Sequence, residues 1–205
     1  KTAYEIRNCD WSSDVCSSDL RGKLTPEAAA EFLLPIMSAL KAAHGRGIIH
    51  RDIKPENVFI ARDESTWEQV PKLLDFGIAK IDGTARATST GQAIGTPAYM
   101  APEQATNASV VDARADIWSL GVLWFEALTG RLPYQAETVM QMLGQLLSSD
   151  PMRLGEVAPE LPAPLTQAIE RAMVRDREAR WPSLGPFIGA VRECFPQVDL
   201  RGQTS

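Results

Sequence analysis

The octapeptide HRDIKPEN at 50–57 sets a carboxylate, Asp52, a cation, Lys54, and a carboxamide, Asn57, on one tight loop, and DFG at 75–77 adds a second acid, Asp75, 23 residues after the first. Such a set suits phosphoryl transfer. That reaction asks little covalent chemistry of a protein and depends instead on positioned counter-charges, metal ligands and an acceptor for a hydroxyl proton. The four residues can supply each of these. Further along, GTPAYMAPEQ (95–104) and DIWSLG (116–121) follow in order.

The surrounding pattern is mainly helical with one short strand-rich patch. Thr25-Pro26-Glu27 reads as a helix start, with an oxygen cap, proline at the first helical position and an acid in the first turn. Phe32, Ile36, Leu40 and Ala43 continue it at helical spacing, Pro35 predicts a kink, and Gly45 is placed to end it. IIH, NVFI and VPKLL, within 48–60 and 70–74, read as small strands. They cannot form the core. That role falls to ARADIWSLGVLWFEALTG, apolar on nearly every face and closed by Gly130, which puts Trp118, Trp124 and Phe125 inside. Helices are expected near 137–147, 164–174 and 184–195, and the Val139, Leu143 and Leu147 stripe of the first reads more as packing than as a docking face.

Length and composition agree with a folded domain. The 205 residues are 44% apolar and 23% charged, enough to bury a core. A net charge of −5 argues against nucleic acid or anionic lipid as the main partner. The longest apolar run is interrupted by Glu126, well short of the ~20 residues a bilayer helix needs, so no membrane span is expected. Three cysteines form no disulfide framework, and Cys194 reads as a reduced, partly buried thiol.

Taken in order, HRDIKPEN, DFG, GTPAYMAPEQ and DIWSLG resemble the large lobe of a bacterial Hanks-type serine/threonine protein kinase, over about residues 21–198. The resemblance implies a protein kinase-like α+β fold, here a mainly helical C-terminal lobe with a small β-hairpin patch around the catalytic and DFG loops. It implies ATP with Mg²⁺ or Mn²⁺ and protein substrates with Ser or Thr acceptors. By motif, Asp52 matches the catalytic base, Lys54 the cation on the transferred phosphate, and Asn57 and Asp75 the metal ligands. Glu56 and Phe59 fall at cofactor-binding positions, Phe59 under the adenine. Thr96 matches the link from the substrate-binding loop to Asp52 and Lys54. Asp116 matches the brace of the catalytic-loop backbone, and Glu103 and Arg180 the buried ion pair of the activation segment. His50 reads as a packed structural histidine. Lys54 accompanies Ser/Thr acceptors in the family, and Ile78 after DFG leans toward threonine.

Control is implied too. Thr88, Ser89 and Thr90 lie where related kinases carry autophosphorylated threonines, with Arg51 as the cation that receives the phosphate and a kinase–kinase dimer as the means of transfer in trans. The family location is cytoplasmic, with whole proteins often anchored through a membrane segment beyond the kinase domain. Two other readings share parts of the pattern. One is a pseudokinase scaffold using the lobe for docking; the other is an aminoglycoside-type phosphotransferase, which has the H-x-D-x-x-x-x-N loop but usually lacks DFG and GTPAYMAPE.

Residues 1–20 do not follow the family pattern. No G-x-G-x-x-G, strand lysine, partner glutamate or hinge precedes residue 48, and the family pattern starts near GKLTPE. Read back into codons, KTAYEI and DWSSDVCSSDL resemble a widely used short-read sequencing adapter with an index tag between them. The expectation is a non-native leader (1–20), Cys9 and Cys16 included, before a truncated kinase lobe (21–198) and a short tail (199–205). Such a piece should transfer phosphate poorly alone.

Overall fold

The computed structural model describes residues 7–8, 23–62, 69–73, 97–106 and 111–198. Asp75, Thr88, Ser89, Thr90 and Thr96 lie outside these residues, as do Cys9, Cys16 and the 199–205 tail. Among the described residues, α1 (Pro26–His44) precedes a hairpin of β2 (Val58–Arg62) and β3 (Gln69–Leu73), and a two-residue β1 (Arg7–Asn8) joins the other side of β2. Six helices follow: α2 (Pro102–Thr106), α3 (Arg114–Thr129), α4 (Val139–Ser148), α5 (Leu154–Val157), α6 (Ala163–Ala172) and α7 (Leu184–Cys194).

The start of α1 forms for the reasons visible in its sequence. Thr25 Oγ1 accepts the Ala28 N–H at 3.2 Å, Pro26 needs no partner for the amide hydrogen it lacks, and Glu27 sits in the positive first turn. The helix runs on through Pro35 as one element. It ends where the sequence placed its stop, with Gly45 as the C-cap. Gly45 is right-handed, and Gly47, at φ 74°, is the residue that reverses the chain. Gly47 N–H donates to the His44 carbonyl and Ile48 N–H to that of Ala43, at 2.9 and 3.0 Å, closing a Schellman motif that only a residue tolerant of positive φ can make cheaply. The chain therefore leaves α1 aimed at residues 48–52.

Helix α3 is the axis of the core. All its residues from Ala115 to Leu128 are buried except Glu126. Met37 of α1 meets it from one side, where Trp124 Nε1–H donates to Met37 Sδ at 3.3 Å. From another side α6 comes so near that a Cβ on Gly121 would lie 2.7 Å from Met173 Cγ and 3.0 Å from Ala172 Cβ. That contact explains the glycine in DIWSLG, because any side chain there would force the helices apart.

Two features depart from the sequence reading. IIH at 48–50 joins no ladder among the described residues, because the His50 N–H is taken by Asp116. On α4 the buried residues are Met142 and Leu146, while Val139 and Leu147 are 46% and 41% exposed and Leu143 is half-buried, so the stripe read as packing is largely turned to solvent. A third point adds to the reading without deciding it: Arg7 and Asn8, within the segment read as a non-native leader, pair antiparallel with Ile60 and Phe59 of β2. On the far side Pro71 of β3 lies opposite Ile60, a position open to proline because β3 is an edge strand among the described residues.

Candidate active site

The loop after α1 is built around a buried carboxylate. Asp116, in the first turn of α3, is fully buried, and its oxygens accept the His50 N–H at 2.9 Å and the Arg51 N–H at 2.8 Å. His44 Nε2 lies 2.7 Å from the same carboxylate. A buried charge without partners would cost several kcal/mol, and here the backbone donors and the helix N-terminus supply the compensation. The consequence is a fixed loop.

Arg51 is the one non-glycine residue of positive φ among the described residues, at 65°. For an L-residue that conformation costs about 1–2 kcal/mol. It is pinned on both sides: Asp116 Oδ1 holds its N–H, and Gln104 Nε2–H donates to its carbonyl at 2.9 Å. The turn delivers Asp52 directly afterwards. Buried His50 accepts the Asp52 N–H through Nδ1 at 3.3 Å, so its imidazole shapes the loop from within.

The three polar residues of HRDIKPEN then converge. Lys54 Nζ lies 3.2 Å from Asp52 Oδ2, both partly exposed. Pro55–Asn57 form a 3₁₀ turn that brings Asn57 back, and its Nδ2 donates to the Asp52 carbonyl at 2.7 Å and to Oδ2 at 3.3 Å. With Nδ2 engaged, the amide oxygen of Asn57 is left as an acceptor. Glu56 is exposed on the same turn, and Phe59 follows on β2.

Around this cluster the 97–106 segment is anchored to α3 and to the loop after α6. Arg180 is buried and forms a bidentate pair with Glu103 of α2, at 2.7 and 2.8 Å. Ser119 Oγ donates to the Tyr99 carbonyl at 2.7 Å, and Tyr99 O–H donates to Glu126 Oε2 at 2.6 Å. The sequence reading missed His44, Tyr99, Gln104, Ser119 and Glu126. Only the placement of the last four inside GTPAYMAPEQ and near DIWSLG hinted at them.

The Tyr99–Glu126 pair carries a pH signature. Burial, followed by the negative charge of Glu126, pushes the Tyr99 hydroxyl far up, so it stays a donor. Burial is also the largest influence on Glu126, raising its carboxyl pKa; the Tyr99 hydrogen bond works against that rise and the charge of Glu56 adds to it. A folded pKa above the unfolded one means that the native state holds more proton, so this group's contribution falls as pH rises through the unfolded carboxylate range toward the raised value. Glu126→Gln should therefore gain on wild type as pH goes from about 4 to about 7. Urea midpoints at both pH values check this, and a difference that does not change with pH contradicts it.

A helical lobe threaded by a buried helix, with a pinned loop presenting Asp52, Lys54 and Asn57, defines the large lobe of a protein kinase. The chain belongs to the protein kinase family: the profile of the protein kinase domain matches residues 4–183, a span that begins inside the segment read as a leader. It is 41% identical over 170 residues to the serine/threonine-protein kinase Pkn1 of Myxococcus xanthus, covering 82% of this chain and 24% of that protein. Identity to PknL of Mycobacterium tuberculosis, a serine/threonine-protein kinase, is 36% over 184 residues, 88% of this chain and 45% of PknL. Identity to PknH of the same organism is 36% over 178 residues, 87% of this chain and 28% of PknH. The chain thus spans 24% to 45% of the length of these relatives. The family implies ATP, a divalent metal and protein substrates. Among the described residues no helix is long and apolar enough to cross a membrane.

Proposed function

We propose that this chain supplies the large lobe of a serine/threonine protein kinase that moves the γ-phosphate of ATP to Ser or Thr hydroxyls of proteins. The observation that carries the reading is the Asp52–Lys54–Asn57 cluster, with Lys54 Nζ and Asn57 Nδ2 both near Asp52 Oδ2. In the reaction the substrate oxygen bonds to the γ-phosphorus, the bond to the ADP oxygen breaks, and the hydroxyl proton passes to Asp52. Lys54 neutralises charge on the phosphoryl oxygens. It also balances Asp52 before substrate arrives.

The residues present fit a hard divalent cation. The free amide oxygen of Asn57, with the Asp75 carboxylate, makes an oxygen-only set of the kind Mg²⁺ prefers and Mn²⁺ also accepts. Bound there, the metal would neutralise charge on the phosphates. Asn57 would hold it through Oδ1 while keeping the loop closed through Nδ2. By the family pattern, Glu56 and Phe59 would serve the nucleotide side, and Thr96 would link the substrate loop to Asp52 and Lys54. Phosphate on Thr88, Ser89 or Thr90, placed by a second kinase molecule, pairs with Arg51, since a phosphate adds about −1.5 to −2 charges and strong acceptors. The working location is cytoplasmic.

Residues 21–198 carried beneath a complete kinase small lobe, assayed on peptides differing only in a central Ser, Thr or Tyr, test the substrate class. Phosphate is expected on Ser and Thr, at least tenfold over Tyr, roughly the selectivity of one well-placed contact. Preference for Tyr ends the reading.

A further inference from the structure

We infer that Gln104 is a positioning residue for Asp52, the adjustable one of two clamps that keep Arg51 in its left-handed conformation. The inference rests on the kinase reading only for its consequence, the aim of Asp52; the clamp itself is a matter of geometry. Asp116 holds the N–H side of Arg51 from the buried α3, where the surrounding core leaves it no freedom. Gln104 holds the carbonyl side, and it belongs to the five-residue helix α2.

The carboxamide of Gln104 is used at both ends. Its Oε1 accepts the Ala101 N–H at 2.9 Å, while Nε2 donates to the Arg51 carbonyl at the same distance. Turned over, the amide would set donor against donor and acceptor against acceptor, so the orientation is fixed by its partners. The backbone N–H of Gln104 also donates to the Ala101 carbonyl, at 2.9 Å. Ala101 itself is fully buried. Gln104 therefore reports the position of Ala101, at the end of the activation segment, to the peptide that joins Arg51 to Asp52.

The energetic balance makes the link consequential. The strain of a left-handed arginine is about the size of one neutral hydrogen bond, so losing the bond from Gln104 is enough to let the 51–52 peptide rotate. That rotation would move Asp52 relative to Lys54 and Asn57. Next to Gln104, Glu103 is held by Arg180, which keeps α2, and with it the clamp, in register with α3 and the loop after α6.

Amide hydrogen exchange by NMR on the 205-residue chain tests this without ATP or substrate, so the result is independent of phosphoryl transfer. Gln104→Glu keeps an acceptor for Ala101 but cannot donate to Arg51; Gln104→Met removes both bonds at similar volume. In either variant the Arg51 and Asp52 amides should exchange about tenfold faster, with the α3 amides unchanged. Adding Arg51→Gly should restore slow Asp52 exchange, because glycine occupies the left-handed region at no steric cost. A purely structural role for Gln104 would not be rescued by glycine at a separate site. Wild-type exchange in both variants, or failure of the glycine to restore protection, overturns the inference.

Discussion

Replacing Arg180 with alanine is expected to destabilise the chain by about 3–5 kcal/mol, the range for breaking a buried ion pair from one side. All five guanidinium donors have acceptors. Nε–H donates to the Val174 carbonyl at 2.6 Å; Nη1 serves Glu103 Oε1 and the Arg114 carbonyl at 2.7 and 3.2 Å; Nη2 serves Glu103 Oε2 and the Arg175 carbonyl at 2.8 and 3.1 Å. Its flat face lies 5.0 Å from the centre of the Trp118 ring. Alanine would leave the Glu103 carboxylate and three carbonyls short of donors in a space water cannot fill cheaply. Arg180→Lys should recover little, since one ammonium cannot span this fork of acceptors. Replacing both partners, Arg180→Met with Glu103→Met, should cost less than Arg180→Ala alone, because no charge is then stranded. Urea denaturation measures all three. A loss under about 1 kcal/mol for the alanine variant would mean that the pair is no more than a surface salt bridge.

The second large effect belongs to Asp52. Changed to asparagine, it keeps its size and can still accept from Asn57 Nδ2, but it no longer takes a proton or balances Lys54. General-base groups contribute roughly 10²–10⁴-fold, so turnover should fall by that amount while the KM for ATP moves little. The split matters. A rise in KM with turnover intact would make Asp52 a binding residue and shift the chemistry elsewhere.

Much of this arrangement is legible because it is local. Thr25-Pro26-Glu27 states a helix start whatever the tertiary context, and the unbroken apolar character of α3 leaves it no solvent face. HRDIKPEN is local too: a 3₁₀ turn of three residues is enough to bring Asn57 back onto Asp52. What escaped the sequence depends on segments far apart in the chain. Gln104 and Arg51 are 53 residues apart, His44 and Asp116 are 72, and hydrogen bonds of this kind leave no periodicity. IIH has strand composition, yet its His50 N–H is drawn off by Asp116 and its Ile48 N–H by the end of α1, tertiary and capping demands that override propensity. On α4 the sequence offers two apolar stripes at the same period, Val139/Leu143/Leu147 and Met142/Leu146, and only the neighbouring elements decide that the second is buried.

If Asp52, Lys54 and Asn57 form a phosphoryl-transfer site, single-turnover transfer will show it. Residues 21–198 beneath a complete small lobe, with or without Asp52→Asn, are mixed with γ-labelled ATP, Mg²⁺ and a threonine peptide, and label on the peptide is followed by rapid quench. Nucleotide binding is measured separately on both forms. The predicted result is nucleotide affinity within about threefold of the parent, with the transfer step slowed by roughly two orders of magnitude or more. Transfer at the parent rate in the Asp52→Asn form, with nucleotide bound equally well, would contradict it.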